Sequence, residues 1–165
     1  MGNISYILVV VDMQEHFLRY FNSDGYPEKS FVIENCKKLI NKAMKDNNPI
    51  IFLEFKGCGE TIPELSDLAK DYEHKYVGIK ETCSGADQIK EIVDRYNLQS
   101  KYLMISGIWT DQCVLSSVSG LRSKYPDSHI SVIANACGSQ TKFQYDWAKT
   151  FIRENYGAKI NTRIP

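Results

Sequence analysis

The stretch KYLMISGIWTDQCVLSS, Lys101 to Ser117, decides how the rest of the chain is read. Its apolar run, Tyr102, Leu103, Met104 and Ile105, ends at Gly107; a short polar turn follows, and Val114, Leu115 and Val118 then recur at helical spacing. The order predicts a buried strand, a turn, and a helix opened by Cys113. First-turn N–H groups have no intrahelical acceptors and the helix dipole is positive there, so this position favours a thiolate and aims donors at a developing oxyanion. Read alone, Cys113 also fits an inert, buried small residue.

The flanking chain supplies more strands of the same kind. Ile4 to Val11 (ISYILVVV) is apolar at nearly every position, the pattern of a strand covered on both faces in a parallel sheet, and it stops at Asp12. Gln14, His16 and Phe17 follow on the loop. Ser30 is a candidate N-cap for a helix from Phe31 to about Lys45, whose apolar face holds Cys36. A second strand, Ile50 to Phe55, follows, with Glu54 expected as an exposed strand-end charge. Lys56 to Tyr76 reads as an irregular loop with a short helical pattern from Glu64 to Lys70. The third strand, Tyr76 to Ile79, ends at Lys80, and Ser84 or Thr82 caps a helix running to Tyr96. Beyond the Cys113 helix, which Pro126 stops, come a fifth strand from His129 to Ala134, the Cys137-Gly138-Ser139 edge, a helix from Phe143 to Tyr156 closed by Gly157, and a sixth strand from Ala158 to Arg163. Short apolar strands alternating with helices imply an α/β fold: three layers, a doubly wound, mostly parallel six-stranded sheet with helices on both faces.

Composition bounds the function. The chain of 165 residues has one domain's length, with no repeat or linker. Twenty basic residues balance twenty acidic ones without long like-charge runs, which points away from nucleic acid and anionic membranes and toward a small-molecule ligand. The N-terminal apolar run is too short to cross a bilayer, lacks a basic leader and runs into an acid, so it reads as a strand and the protein as cytoplasmic. Cysteines 36, 58, 83, 113 and 137 are an odd set without CxxC spacing, which argues against both a disulfide framework and a structural zinc site.

Asp12, Lys80 and Cys113 each follow a different predicted strand at the same end of the sheet, where open α/β sheets place their ligand crevice. Taken singly, Asp12 could be a turn cap and Lys80 a solvated loop lysine. Together they form a set with chemistry: a thiol nucleophile, a carboxylate to take and return its proton, and an ammonium to hold both. In that setting Lys80 is expected to lower the thiol pKa, and the neighbouring anions to raise that of Asp12.

The segments VVDMQEHF, IKETCSGA and GIWTDQCV, in that order, resemble the isochorismatase-like cysteine hydrolases, the superfamily that includes nicotinamidases and N-carbamoylsarcosine amidase. The resemblance implies Asp12, Lys80 and Cys113 as the catalytic triad. It further implies a cis Ile108–Trp109 peptide bond that brings the Trp109 and Cys113 backbone N–H groups together as an oxyanion hole. Gln14, Phe17, Trp109 and Thr110 become the substrate-binding candidates, with Trp109 narrowing the pocket or stacking on a flat substrate. No cofactor is implied, and assembly as a homo-oligomer, a dimer or larger, is. Nicotinamidases carry an Asp-x-His metal motif after the second strand; here that place reads Glu54-Phe55-Lys56, so no catalytic metal is expected, and Lys56 could put a cation where the metal would be. His74 is expected at the surface or in packing, and Asp87 replaces an aromatic of the family's patch. The expected activity is cleavage of a C–N bond in a small amide or carbamoyl-type substrate through a Cys113 thioester. A non-catalytic binding or scaffold protein of the same fold and a redox-sensing thiol protein are the rival readings.

Overall fold

Why the chain forms a sheet is written in its β-branched runs. The computed structural model describes residues 5–162. In it strand β1, Ile7–Val11, is buried at all five positions, as expected of a central strand with both faces covered. Ile4 and Arg163, the outer ends of the first and last predicted strands, lie outside the described residues. In chain order the remaining elements are α1 (Glu15–Leu18), α2 (Lys29–Lys45), β2 (Ile50–Phe55), α3 (Pro63–Ser66), β3 (Lys75–Lys80), α4 (Ala86–Tyr96), β4 (Tyr102–Ile108), α5 (Leu115–Lys124), β5 (His129–Gly138), α6 (Lys142–Tyr156) and β6 (Lys159–Asn161). Six strands, all parallel, form one sheet in the order β3-β2-β1-β4-β5-β6. The order reverses direction at β1 and β4, which is where a doubly wound sheet opens its crevice.

Alternate side chains of each strand feed two separate cores. Ile7, Val9, Val11, Ile51, Leu53, Leu103 and Ile105 pack on one face with Ile89 and Val93 of α4, Val118 and Leu121 of α5, and Tyr145 and Ile152 of α6. Leu8, Val10, Ile50, Phe52 and Met104 face the other way, onto Val32, Cys36, Leu39, Ile40 and Ala43 of α2. Cys36 is thus a core residue, its thiol pushed up to about 12 by burial.

Several boundaries differ from the sequence reading. Helix α2 starts at Lys29, so Ser30 lies inside its first turn and the N-cap is Glu28, without a side-chain bond. Gly85 precedes α4, and the Ser84 hydroxyl accepts the Ala86 N–H at 3.3 Å. β5 runs on through Cys137 and Gly138, past a register shift against β4. Cys113 does not open a helix: it sits in a π-type turn, Thr110–Val114, and α5 begins at Leu115. The wider turn sends the Val114 N–H back to the Trp109 carbonyl, five residues earlier.

Gly107 allows the ends of β1 and β4 to come together. Its φ is +114°, and a Cβ there would lie 2.1 Å from the Val11 carbonyl oxygen. Gly107→Ala is therefore expected to cost about 3 kcal/mol from strain plus overlap, whereas Gly59→Ala, at φ +85° with open space around it, should cost only about 1 kcal/mol. Urea unfolding of the two variants checks the difference.

Candidate active site

Asp12 is carried out of β1 in the left-handed region, φ +51°, with its N–H on the Leu53 carbonyl at 2.9 Å. That turn directs the carboxylate across the strand ends. Lys80, the last residue of β3, stands two strands away, and only a long side chain could reach. It does so by crossing the ring of Phe55 at the end of β2, with Nζ 4.4 Å from the ring centroid. Nζ meets Asp12 Oδ2 at 2.8 Å, the Thr82 carbonyl at 3.1 Å and Cys113 Sγ at 3.5 Å. Three residues far apart in sequence thus share one cluster, with Asp12 1 %, Lys80 0 % and Cys113 5 % exposed. Lys80, which local sequence places among solvated loop lysines, is wholly buried.

The electrostatics overturn one expectation. The Cys113 thiol pKa is raised, first by burial and then by the Asp12 carboxylate, and the opposing effect of Lys80 does not offset them. These influences run against the preformed thiolate expected of a helix N-terminus. Asp12 is itself raised, mainly by burial; its bonds to Lys80 and Cys113 pull the other way, and Glu54 adds a smaller upward push.

Glu54 also departs from expectation. It is 7 % exposed, and its Oε1 accepts both the N–H (2.7 Å) and the hydroxyl (2.9 Å) of Thr61. The carboxylate has sought these donors because a buried charge without partners is costly. Lys56 lies at the surface, 2.5 Å from Glu81, and His74 sets its ring edge-on to Tyr72. The groups at the place of the metal motif are therefore engaged with other partners, and among the described residues no group of three or more His, Cys, Asp or Glu is placed to hold a metal ion.

The substrate-binding candidates divide. Gln14 is buried and its amide is committed to the loop after β2: Oε1 accepts the Phe55 N–H at 2.8 Å, and Nε2 donates to the Phe55 carbonyl at 3.1 Å and the Gly59 carbonyl at 2.5 Å. Gln14 thus holds this loop against the end of β1. Phe17 is half-buried, edge-on to Phe55 at 6.1 Å. The Trp109 indole, expected to face a substrate, is packed against Phe21 at 5.2 Å in the core beneath α2. The Ile108–Trp109 bond is cis. Thr110 Oγ1 is buried without a hydrogen-bond partner. Sequence reasoning passed over Phe55 and Thr82; an aromatic ending the strand between Asp12 and Lys80 was the available signal for the first, and a backbone carbonyl leaves none.

A six-stranded parallel sheet with an acid, a lysine and a cysteine at its carboxyl ends defines an α/β fold of the isochorismatase-like class. Comparisons agree: a family description of the isochorismatase domain matches residues 6–163. Isochorismatase domain-containing protein 2 of Xenopus laevis is 30 % identical over 165 residues, covering 98 % of this chain and 74 % of that protein. The nicotinamidase of Staphylococcus aureus superposes with a TM-score of 0.81 at 19 % identity, covering 98 % of this chain and 100 % of the other. The MAR1 ribonuclease of Caenorhabditis elegans does so with 0.81 at 23 % identity, covering 98 % and 79 %. The chain belongs to the isochorismatase family of hydrolases.

Two outcomes follow from the buried cluster. Lys80→Met, which strands the Asp12 carboxylate, is expected to destabilise by about 3 kcal/mol, and the double variant Asp12→Asn/Lys80→Met to regain most of that loss; urea unfolding measures both. In the native protein at neutral pH, iodoacetamide followed by peptide mapping should label exposed Cys83 well before Cys113.

Proposed function

We propose that this protein is a cysteine hydrolase that opens the C–N bond of a small amide or carbamoyl-type substrate. The observation that carries the reading is the convergence of Asp12, Lys80 and Cys113 from three strand ends into one buried, bonded cluster. Asp12 accepts the thiol proton as Cys113 Sγ bonds to the substrate carbonyl carbon, and the carbonyl π electrons move onto its oxygen. The Trp109 and Cys113 backbone N–H groups receive that oxyanion. Asp12 then returns the proton to the leaving nitrogen as the C–N bond breaks, releasing an amine or ammonia and leaving a thioester. Water, deprotonated by Asp12, attacks the thioester; the C–S bond breaks, the acid departs and Cys113 regains its proton. Lys80, beside both groups, offsets the negative charge as it passes from Asp12 to Cys113 and back.

A raised Asp12 pKa suits this two-way traffic, because a general acid-base works best when its pKa approaches the working pH. A raised thiol pKa disfavours the redox-sensing reading, since oxidation follows thiolate character and exposure. Thr110, its hydroxyl free, and Phe17 remain the substrate contacts in this reading. Among the described residues no helix is long and apolar enough to cross a membrane, and all five cysteines are free. Free cysteines support a reducing, cytoplasmic setting. Assembly as a homo-oligomer belongs to the same proposal, on the family resemblance.

A panel of small amides assayed for ammonia release tests the reading. Cys113→Ala and Asp12→Asn should each lower kcat by at least about a thousandfold, the loss typical of a nucleophile or its base. The acid limb of kcat/KM should fall above the range of an ordinary exposed aspartate, because activity is lost as pH drops through the raised Asp12 pKa. Turnover untouched in Cys113→Ala would remove the thioester route, and no release from any amide would favour the scaffold reading.

A further inference from the structure

The Lys80 ammonium has three hydrogens and three acceptors: Asp12 Oδ2, the Thr82 carbonyl and Cys113 Sγ. The Phe55 ring lies against the same ammonium, with its centroid 4.4 Å from Nζ. An ammonium set over a ring face is attracted by the ring quadrupole, more strongly when water is excluded, and Lys80 is wholly buried. The ring is not left to find that position by packing alone. Gln14 holds the Phe55 backbone from both sides, accepting its N–H and donating to its carbonyl, and ties Gly59 to the same amide. Phe17 meets the ring at its edge. Asp12 and Gln14, two residues apart, therefore act on one ammonium by two routes: the carboxylate directly, and the amide through the aromatic ring.

We propose that Phe55 is a positioning residue of the site: its ring face, fixed by Gln14, packs against the Lys80 ammonium and holds it between Asp12 and Cys113. The inference rests on the hydrolase reading for its consequence in catalysis, but the placement of the ammonium can be read without turnover. In the absence of the ring attraction water reaches Nζ, the lysine samples other rotamers, and the charge is no longer fixed beside the proton-transfer path from Cys113 to Asp12.

The test uses full-length protein labelled with 15N-lysine, the Lys80 ammonium signal being assigned by its loss in Lys80→Met. Three variants are compared: Phe55→Leu, Phe55→Trp, and the native chain with pentafluorophenylalanine at position 55, which keeps the ring's shape but reverses its quadrupole. Exchange of the Lys80 ammonium protons with water should quicken by about three- to tenfold in the leucine and pentafluoro proteins and stay slow in the tryptophan protein. With the best amide found, kcat should fall in the same two proteins by a similar factor while KM changes less. Exchange unaltered in the pentafluoro protein would overturn the proposal, whatever the leucine variant does, because the ring would then act only by filling space. Fast exchange in Phe55→Trp would overturn it as well. Absence of amide turnover in the native chain would count against the hydrolase reading while leaving the exchange result to decide the role of Phe55.

Discussion

The contact on which this site depends is the ion pair between Asp12 and Lys80, 2.8 Å apart and sealed from solvent. Bringing two charges out of water costs several kcal/mol for each ion, and mutual attraction repays it only with good geometry and further hydrogen bonds. The fold supplies both. The left-handed turn at Asp12 presents the carboxylate across the strand ends, and Thr82 and Cys113 take the remaining hydrogens of the ammonium. A buried pair of this kind is poor evidence of a stabilising device, since a well-packed apolar pair would serve stability as well or better. Its presence in the crevice of a doubly wound sheet is better explained by chemistry.

With the ammonium fixed, the setting of Cys113 follows. Sequence position alone suggested a helix N-terminus acting on Cys113, with its dipole and free N–H groups favouring a thiolate. Cys113 instead occupies a π-type turn ahead of α5, close to a carboxylate and almost without water. Burial and the Asp12 charge both oppose ionisation, and one shared ammonium cannot neutralise two anions. The sulfur and the carboxylate therefore share one ammonium inside a cluster closed to solvent.

How much of this was legible in the sequence varies by residue for physical reasons. The sheet was, because apolar runs such as Ile7–Val11 and Ile50 to Leu53 are buried on both faces and stand out along the chain. The three catalytic candidates were, through their shared place at strand ends. The fate of Glu54 was not: its burial depends on Thr61, seven residues on, folding back to supply two donors. Nor was that of Trp109, whose indole enters the core because Phe21 offers a partner face. Phe21 itself fits because Gly25 and Gly138 leave room for its ring. Gln14 was recognised as part of the motif, but the bonds its amide makes within the chain were not. Its donors meet backbone carbonyls some forty residues later, and carbonyls look alike in every sequence.

The end of β2 shows how such local bonds can take over an organising task. In this chain Glu54 fastens Thr61, Gln14 fastens Phe55 and Gly59, and the Phe55 ring rests on the Lys80 ammonium. The first two contacts tie the loop after β2 to the strand ends, and the third sets the end of β2 against Lys80. The loop is thereby held by the chain's own polar groups and one aromatic face. Its position then depends on the fold alone, so the geometry around Lys80 is set before any substrate arrives, which is the condition under which a fixed charge assists a reaction without having to reorganise.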